Sequence, residues 1–165
     1  PIRPEDIPAV KEVFDALTPE DRRRRLFSSM REIPDEFAAR LTQIDYDREM
    51  VLVALDPGDP SRFWGGARVA ADADNRRAEY SVTVRSDKQG LGLGRTCLER
   101  VLDFAGKRGI EEVWGSVLAE NEGMLGLAGR LGFERHRDPD AADIFFTTKR
   151  LRTAEVPDPT TRPLT

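Results

Sequence analysis

Hydrophobic and polar positions follow two different periods along this chain, and the period changes before its middle. Five apolar residues after Ile2 recur three or four positions apart: Ile7, Val10, Val13, Phe14 and Leu17. This spacing predicts a helix that follows the end of a strand. Thr18 and Pro19, followed by two acids, predict a second helix that ends near Ser29. A third helix is predicted over residues 35–43.

Shorter apolar runs bounded by turn-forming residues follow these helices. They predict strands over residues 50–55, 63–71 and 78–85. The segment 56–60, rich in Asp and Pro, predicts the turn that closes the first strand, and 72–75 predicts a hairpin turn. Because hairpins join antiparallel strands, the middle of the chain predicts an antiparallel arrangement.

The last part of the chain alternates helices with strands. A helix is predicted over residues 95–107, with Gly109 as the glycine that ends it. The elements after it are predicted as a strand over 111–117, a short helix over 121–131, a strand that starts at 132 and a closing strand over 143–149. Together these elements predict an α+β, or mixed α/β, domain. Residues 151–165, mostly Pro, Thr, Asp and Arg, are predicted to form a disordered tail.

Length and charge narrow the class of protein. The 165 residues suffice for one domain with a core and are too few for two. A net charge of −4 argues against general binding of nucleic acid or anionic membranes. One cysteine and one histidine exclude an internal disulfide and a Cys/His metal cluster, so no metal is expected. With no apolar run near the roughly 20 residues that span a bilayer, a cytoplasmic protein is expected. The opening at Pro1, without methionine, predicts an excised or renumbered piece.

A glycine-rich loop lies between a predicted strand and a predicted helix. It reads Gln89, Gly90, Leu91, Gly92, Leu93, Gly94 and Arg95. Glycines permit backbone angles that other residues resist, so such a loop can turn several N–H groups toward one point. The free N–H groups and dipole of the helix start add positive potential. The loop therefore predicts an anion site, above all for a phosphate.

Several loop types compete for this segment. A P-loop needs Lys after its last glycine, and Arg95 follows Gly94. A dinucleotide fingerprint needs a different glycine spacing and a parallel sheet. The pattern Q/R-x-x-G-x-G/A is matched by Gln89, Gly92 and Gly94. A plain strand-to-helix turn that binds nothing is the remaining alternative.

Two further segments fit the third pattern. Ile2 begins the run Ile-Arg-Pro-Glu-Asp, and Asn121 is followed about ten residues later by Leu-Gly-Phe at 131–133. With the loop and the order of elements, these segments resemble the Gcn5-related N-acetyltransferase (GNAT) superfamily over residues 1–150. The resemblance implies an acyl-CoA N-acyltransferase fold, with a central, mostly antiparallel sheet flanked by helices.

Residues 78–87, 90–94, 18–21 and 41–50 resemble more closely the GNAT domain of bacterial protein lysine acetyltransferases of the Pat type. Those enzymes acetylate the active-site lysine of AMP-forming acyl-CoA synthetases and switch them off. The resemblance implies such a synthetase as the partner, with no nucleic acid and no membrane. Many Pat-type enzymes carry a large fused regulatory domain that is absent from this chain.

The resemblance implies acetyl-CoA as co-substrate and assigns residues to it. Backbone groups of Val82, Thr83 and Val84 are expected to hold the acetyl and pantetheine end. Residues 89–95 are expected to cradle the pyrophosphate, with charge from Arg95. Asn121 is expected to bond the pantetheine arm, and a role as the N-cap of its helix is compatible with that.

Glu79 is the expected general base. A lysine ammonium, with a pKa near 10.4, must lose a proton before it attacks a thioester. Glu79 precedes the loop where Pat-type enzymes carry their catalytic glutamate, and strand alternation places Glu79, Ser81 and Thr83 on one face. The alternative is that Glu79 is an exposed strand residue without a catalytic role. Ala128 stands where many GNAT enzymes carry a tyrosine, so the usual general acid is missing.

The sequence therefore predicts a protein lysine N-acetyltransferase acting by direct attack. A small-molecule amine N-acetyltransferase and a non-catalytic acyl-CoA-sensing module are the alternatives. The arginines at 22–25 predict a solvated helix face or a docking site for an acidic protein. Cys97 is expected to pack in its helix rather than carry an acetyl group.

Overall fold

A computed structural model describes residues 1–26 and 35–151 of the chain. Within these residues the helices are α1 (Ile7–Asp15), α2 (Pro19–Leu26), α3 (Asp35–Thr42), α4 (Leu93–Lys107) and α5 (Glu122–Arg130). The strands are β1 (Glu49–Asp56), β2 (Asp59–Ala71), β3 (Arg77–Val84), β4 (Glu112–Leu118), β5 (Glu134–Asp138) and β6 (Ala141–Arg150). The predicted mixed α/β class is confirmed.

The six strands form one sheet in the order β1-β2-β3-β4-β6-β5. All neighbouring pairs are antiparallel except β3 and β4, which are parallel. The chain passes from β3 to β4 through the glycine-rich loop and α4, because parallel neighbours need a crossover connection. The predicted sheet, mostly antiparallel and flanked by helices, is therefore confirmed.

The parallel pair separates soon after it begins. Only Arg77–Glu79 of β3 is in register with Glu112–Trp114 of β4. Beyond these residues β3 stays paired with β2, and β4 stays paired with β6. The opening between residues 80–84 and 115–118, called here the β3–β4 gap, divides the sheet into two three-stranded halves.

Each face of the sheet has its own core. On one face, the α4 face, strand residues such as Val69, Tyr80 and Val113 pack with Leu98 and Val101 of α4. On the other, the α1 face, β1 and β2 pack against apolar residues of α1 and α3. Apolar positions alternate along the strands because successive side chains point to opposite faces.

Element boundaries differ from prediction at two glycines. Helix α4 begins at Leu93, two residues before the predicted start, because Gly92 takes a left-handed φ of 79° and acts as its N-cap. The predicted turn 56–60 is tighter than expected, with Asp56 paired to Asp59 in a two-residue hairpin around Gly58. The predicted helix end near Ser29 and the tail from residue 152 lie outside the described residues.

Candidate active site

A cavity of about 440 Å³ lies where the β3–β4 gap meets the glycine-rich loop and the start of α5. It is called here the gap cavity. Ten residues that the sequence assigned to a ligand line it: Val82, Thr83, Val84, Gln89, Gly90, Gly92, Leu93, Gly94, Arg95 and Asn121. Leu91, also predicted, does not line the cavity, and its side chain is 62% exposed.

The loop glycines serve two physical purposes. Gly90 and Gly92 both have φ of 79°, which L-residues rarely adopt, and this turns the chain from the end of β3 into α4. Gly94 instead removes bulk, since a Cβ there would lie 3.3 Å from Cγ1 of Val82. Helix α4 therefore starts close against β3. No side chain caps its first turn, so its N–H groups are free for a ligand.

Helix α2 forms another wall of the gap cavity, which the sequence did not indicate. Asp21 accepts hydrogen bonds from Oγ of Ser86 (2.5 Å) and from Nε2 of Gln89 (3.0 Å). Oγ1 of Thr18 caps this helix by accepting from the N–H of Asp21 (3.2 Å), as predicted. The hydrogen bonds of Asp21 with Ser86 and Gln89 join residues more than 60 positions apart in the chain, and no local motif marks them.

The arginines at 22–25, predicted to form a solvated face or a docking site, make contacts within the protein, and Arg23 is the one exposed residue among them. Arg22 donates to the carbonyl of Phe14, and Arg23 pairs with Glu120 at the end of β4. Arg24 lines the gap cavity, where its NH1 contacts Asp21 at 3.3 Å. Its Nε is buried and has no hydrogen-bond partner in the described part of the chain. The charge run in the sequence therefore contains residues of different kinds: Arg23 pairs at the surface, while Arg25 is largely buried.

Arg25 reaches the α1 face of β3. Its Nε donates to Oγ1 of Thr83 (2.7 Å) and its NH2 to Oγ of Ser81 (3.3 Å). The pKa of Arg25 is lowered to about 10, first by burial and then by the charge of Arg68, while the carboxylate of Glu79 acts in the opposite direction. The charges of Arg68 and Glu79 are therefore close enough to act on the guanidinium of Arg25.

Glu79 is the last residue of β3 that is paired with β4. It is in register with Ala70 of β2 and with Trp114 of β4, and its side chain is exposed. It does not line the gap cavity. Tyr80, by contrast, is buried in the core of the α4 face. The predicted alternation along β3 is thus seen, and Glu79 shares its face with Ser81 and Thr83.

Asn121 has the structural role that the sequence allowed. Its Oδ1 accepts from the N–H of Met124 at 3.1 Å and so caps α5, while the residue also lines the gap cavity. Ala128, at the position where many GNAT enzymes carry a tyrosine, is buried in the core. Cys97 is buried as well, and burial raises the pKa of its thiol, so it packs rather than reacts.

No three His, Cys, Asp or Glu side chains of residues 1–26 and 35–151 are grouped to hold a metal ion. None of the helices in these ranges is long and apolar enough to cross a membrane.

The fold and the gap cavity define a class of protein. The family model described as Acetyltransferase (GNAT) family matches residues 10–133. The chain belongs to this family, and the predicted acetyl-CoA-dependent N-acetyltransferase is confirmed at this level.

Individual relatives agree with this assignment. The chain is 33% identical over 141 residues to the acetyltransferase PA5475 of Pseudomonas aeruginosa. The aligned region covers 85% of this chain and 76% of PA5475. The GNAT domain of S. lividans PAT superposes with a TM-score of 0.83 at 22% identity, over 92% of this chain and 88% of that one. YncA of Salmonella typhimurium, solved with acetyl-CoA, has a TM-score of 0.73 at 22% identity over 94% of each chain. The predicted likeness to the Pat-type fold is thereby confirmed.

The gap cavity suits the phosphates of acetyl-CoA. Five of its lining side chains carry positive charge, namely Arg24, Arg25, Lys88, Arg95 and Arg130, against one carboxylate, that of Asp21. The buried, unpartnered Nε of Arg24 is a donor that a phosphate oxygen would satisfy. Arg95 also pairs with Glu99 at 2.9 Å, which reduces the charge it offers. The volume is in the usual range for a bound ligand, roughly 300–1,000 Å³.

Proposed function

We propose that this protein transfers the acetyl group of acetyl-CoA to a lysine side chain of a protein, an AMP-forming acyl-CoA synthetase in the cytoplasm. The observation that carries the proposal is the position of Glu79. This carboxylate is exposed at the last paired position of β3 and β4, next to the β3–β4 gap. An incoming amine therefore reaches it from solvent, on a face that the co-substrate cavity leaves open.

The chain holds acetyl-CoA, the thioester donor of the acetyl group, along the gap cavity. Val82, Thr83 and Val84 pair with β2 on one side but not with β4 on the other. The N–H of Arg85 donates to the carbonyl of Trp64. Because backbone groups alternate along an antiparallel strand, Thr83 directs its groups toward β2, and Val82 and Val84 direct theirs toward the gap. The carbonyl of Val84 accepts from Nε2 of Gln89 at 3.4 Å, and the other gap-side groups are available to bond the pantetheine arm and the acetyl carbonyl. The first-turn N–H groups of α4, with Arg24 and Lys88, hold the phosphates.

Glu79 then takes the proton of the acceptor. A lysine amine, protonated in water with a pKa near 10.4, delivers this proton to the carboxylate directly or through one water. The neutral amine attacks the thioester carbonyl, and backbone N–H groups of β3 stabilise the negative charge that forms on its oxygen. Because Ala128 offers no proton, the sulfur leaves as a thiolate, which is tolerable for a thiol with a pKa near 8.5. The attacking nitrogen loses its second proton to solvent as the amide forms.

The test combines turnover with binding. We expect Glu79→Gln to lower kcat at neutral pH by a factor of about 10² to 10⁴, the usual contribution of a general base. The affinity for acetyl-CoA should change little, because Glu79 lies outside the gap cavity. Glu134→Gln is the matched control, since Glu134 is an exposed strand glutamate of the same sheet.

The acceptor is identified with labelled acetyl-CoA and a panel of acyl-CoA synthetases, each as wild type and as the active-site Lys→Ala variant. Label on a wild-type synthetase and none on its Lys→Ala variant supports the proposal. Equal label on both contradicts it. Tight binding of acetyl-CoA without turnover on any amine, and no effect of Glu79→Gln, would instead identify a sensing module.

A further inference from the structure

A second, smaller cavity lies behind the wall of the gap cavity. Arg25 and Thr83 line both cavities and so separate them. The second has a volume of about 60 Å³ and is lined mainly by apolar side chains of α1, β1 and β2, such as Phe14 and Val51. Two guanidinium groups, those of Arg25 and Arg68, interrupt this apolar lining. It is called here the arginine cavity.

The hydrogen bonds of Arg68 are incomplete. NH2 of Arg68 donates to Oε1 of Glu49 at 3.1 Å. The Nε of Arg68 is buried and has no partner among the residues that the structure describes. A buried donor without an acceptor costs roughly 1–3 kcal/mol, more when it is charged. Folding alone gives no reason for this arrangement, whereas an anion in the cavity would satisfy it.

The two charges also oppose each other. After burial, the nearby charge of Arg68 is what lowers the pKa of Arg25 most. Two like charges beside an apolar surface repel each other strongly, because little water screens them. A carboxylate placed between them would turn this repulsion into two charge-assisted hydrogen-bonding interactions.

The position of the arginine cavity connects it with the proposed base. Arg68 of β2 is in register with Ser81 of β3, and Ser81 lies two residues after Glu79 on the same face. Two residues of a strand span about 7 Å. A group bound at Arg68 therefore lies within one short side chain of an amine at Glu79.

We propose that Arg25 and Arg68 bind a carboxylate that the acceptor carries close to its reactive amine. This inference rests on the proposed function, since it uses Glu79 as the point that the amine approaches. The carboxylate belongs either to an acidic residue beside a protein lysine or to a free amino acid. Polyamines and other purely cationic acceptors are disfavoured, because the same two guanidiniums repel them.

The experiment uses acceptors that differ in one charge. Blocked peptides with a single lysine carry either Glu or Gln at the neighbouring positions, and an L-amino acid is compared with its primary amide. For at least one of these pairs we expect kcat/KM to be about tenfold higher for the carboxylate member, which is about 1.4 kcal/mol. The pair that shows the preference identifies the source of the carboxylate. Equal rates within both pairs would overturn the proposal.

Substitution at Arg68 locates the effect. We expect Arg68→Gln to bring the ratio of the two rates close to one, and Arg68→Lys to keep part of the preference because it keeps the charge. Arg62→Gln is the matched control, since Arg62 also lies on β2 and pairs with a glutamate, Glu12, at 2.5 Å. It should keep the wild-type ratio. An undiminished ratio in Arg68→Gln, with a native melting temperature, would overturn the proposal.

A separate measurement keeps this inference distinct from the proposed function. The affinity of both members of each pair for the CoA-bound protein is measured by calorimetry, which needs no turnover. Tighter binding of a carboxylate member, lost in Arg68→Gln, supports the arginine cavity even if no acceptor is acetylated. If turnover depends on Glu79 but neither rate nor affinity favours the carboxylate member, the proposed function stands. The carboxylate site at Arg25 and Arg68 is then contradicted.

Discussion

Tyr80 and Gly115 are the residues in contact where the two parallel strands part. The ring of Tyr80 lies against Gly115, and its hydroxyl passes over β4 to Oγ1 of Thr147, 2.6 Å away on β6. Thr147 in turn donates to the carbonyl of Gly115 at 3.0 Å. Burial raises the pKa of Tyr80, so the phenol keeps its proton throughout the neutral range. A glycine in β4 thus makes room for a ring from β3.

Replacing this glycine tests the packing. A Cβ at Gly115 would lie 2.6 Å from a ring atom of Tyr80, so Gly115→Ala should lower the free energy of unfolding by about 1–3 kcal/mol. Gly129→Ala is the control, because Gly129 lies in α5 with nothing within 4 Å of its Cβ position. It should raise stability by up to about 1 kcal/mol. Urea unfolding measures both, and an unchanged stability of Gly115→Ala would contradict this packing.

Residues that sit in sequence motifs could be predicted, and residues that act at long range could not. The loop glycines and Asn121 were found because their chemistry is local: positive φ, helix capping and spacing. Asp21 and Arg25 were missed because their partners lie 56 to 68 positions away in the chain. A run of arginines on a short helix is usually solvated. Here Arg25 instead binds the neighbouring strand β3, which the sequence of the helix does not indicate.

At the scale of elements, the described side chains of α2 hold this helix by polar contacts. Asp21 binds the loop after β3, Arg23 binds Glu120 two residues after the end of β4, and Arg25 binds β3 itself. The helix thereby touches both sides of the β3–β4 gap. Its eight residues are too few for a helix that is stable by itself.

Removal of one contact should loosen this helix. We expect Asp21→Ala to lower the opening free energy of α2 by about 1.4 kcal/mol, because Ser86 and Gln89 lose their acceptor. Amide exchange in α2 would then be about tenfold faster. Glu20→Ala removes the neighbouring exposed acid and serves as control, with a smaller effect from the lost first-turn charge alone. Equal exchange in the two variants would show that the loop contacts of Asp21 do not hold the helix.

The kinds of element could be predicted more closely than their ends. Periodicity indicated the five helices and six strands of the described ranges, since burial on one face sets the period. It also indicated the end of a strand at Ile2, which is wrong: Ile2 donates one backbone hydrogen bond to Val51 and belongs to no strand. Their boundaries depend on backbone angles that polarity does not encode, as at Gly92. The separation of β3 from β4 was not predictable, because it depends on how each strand pairs with a different neighbour.

At the scale of the whole molecule, two cores share one sheet. Leu98 and Val101 are fully buried against the α4 face, while Val13 and Phe14 pack against the α1 face. Strand β2 contributes side chains to both cores. A loss of packing on one face is therefore transmitted to the other through the same backbone.

The fold should unfold as one cooperative unit. Leu98→Ala is expected to cost about 2–5 kcal/mol, because it leaves a cavity in the α4 core. Leu91→Ala, on a side chain that is 62% exposed, should change stability by less than about 0.5 kcal/mol. Tryptophan fluorescence and circular dichroism should report the same urea midpoint for each variant. Two separate midpoints would mean that the cores unfold independently.

From the β3–β4 gap we expect the stability of the protein to depend on its own co-substrate. In the described residues, β3 and β4 are in register at three pairs, so a molecule bound in the gap supplies contacts where the two strands have parted. Binding to the native state alone adds about 2.7 kcal/mol at a ligand concentration one hundred times the Kd. In a cell poor in acetyl-CoA, the folded state of the enzyme would then be less stable. The same cell would also supply fewer acetyl groups for transfer. Metabolic supply would set the abundance of the catalyst together with its rate.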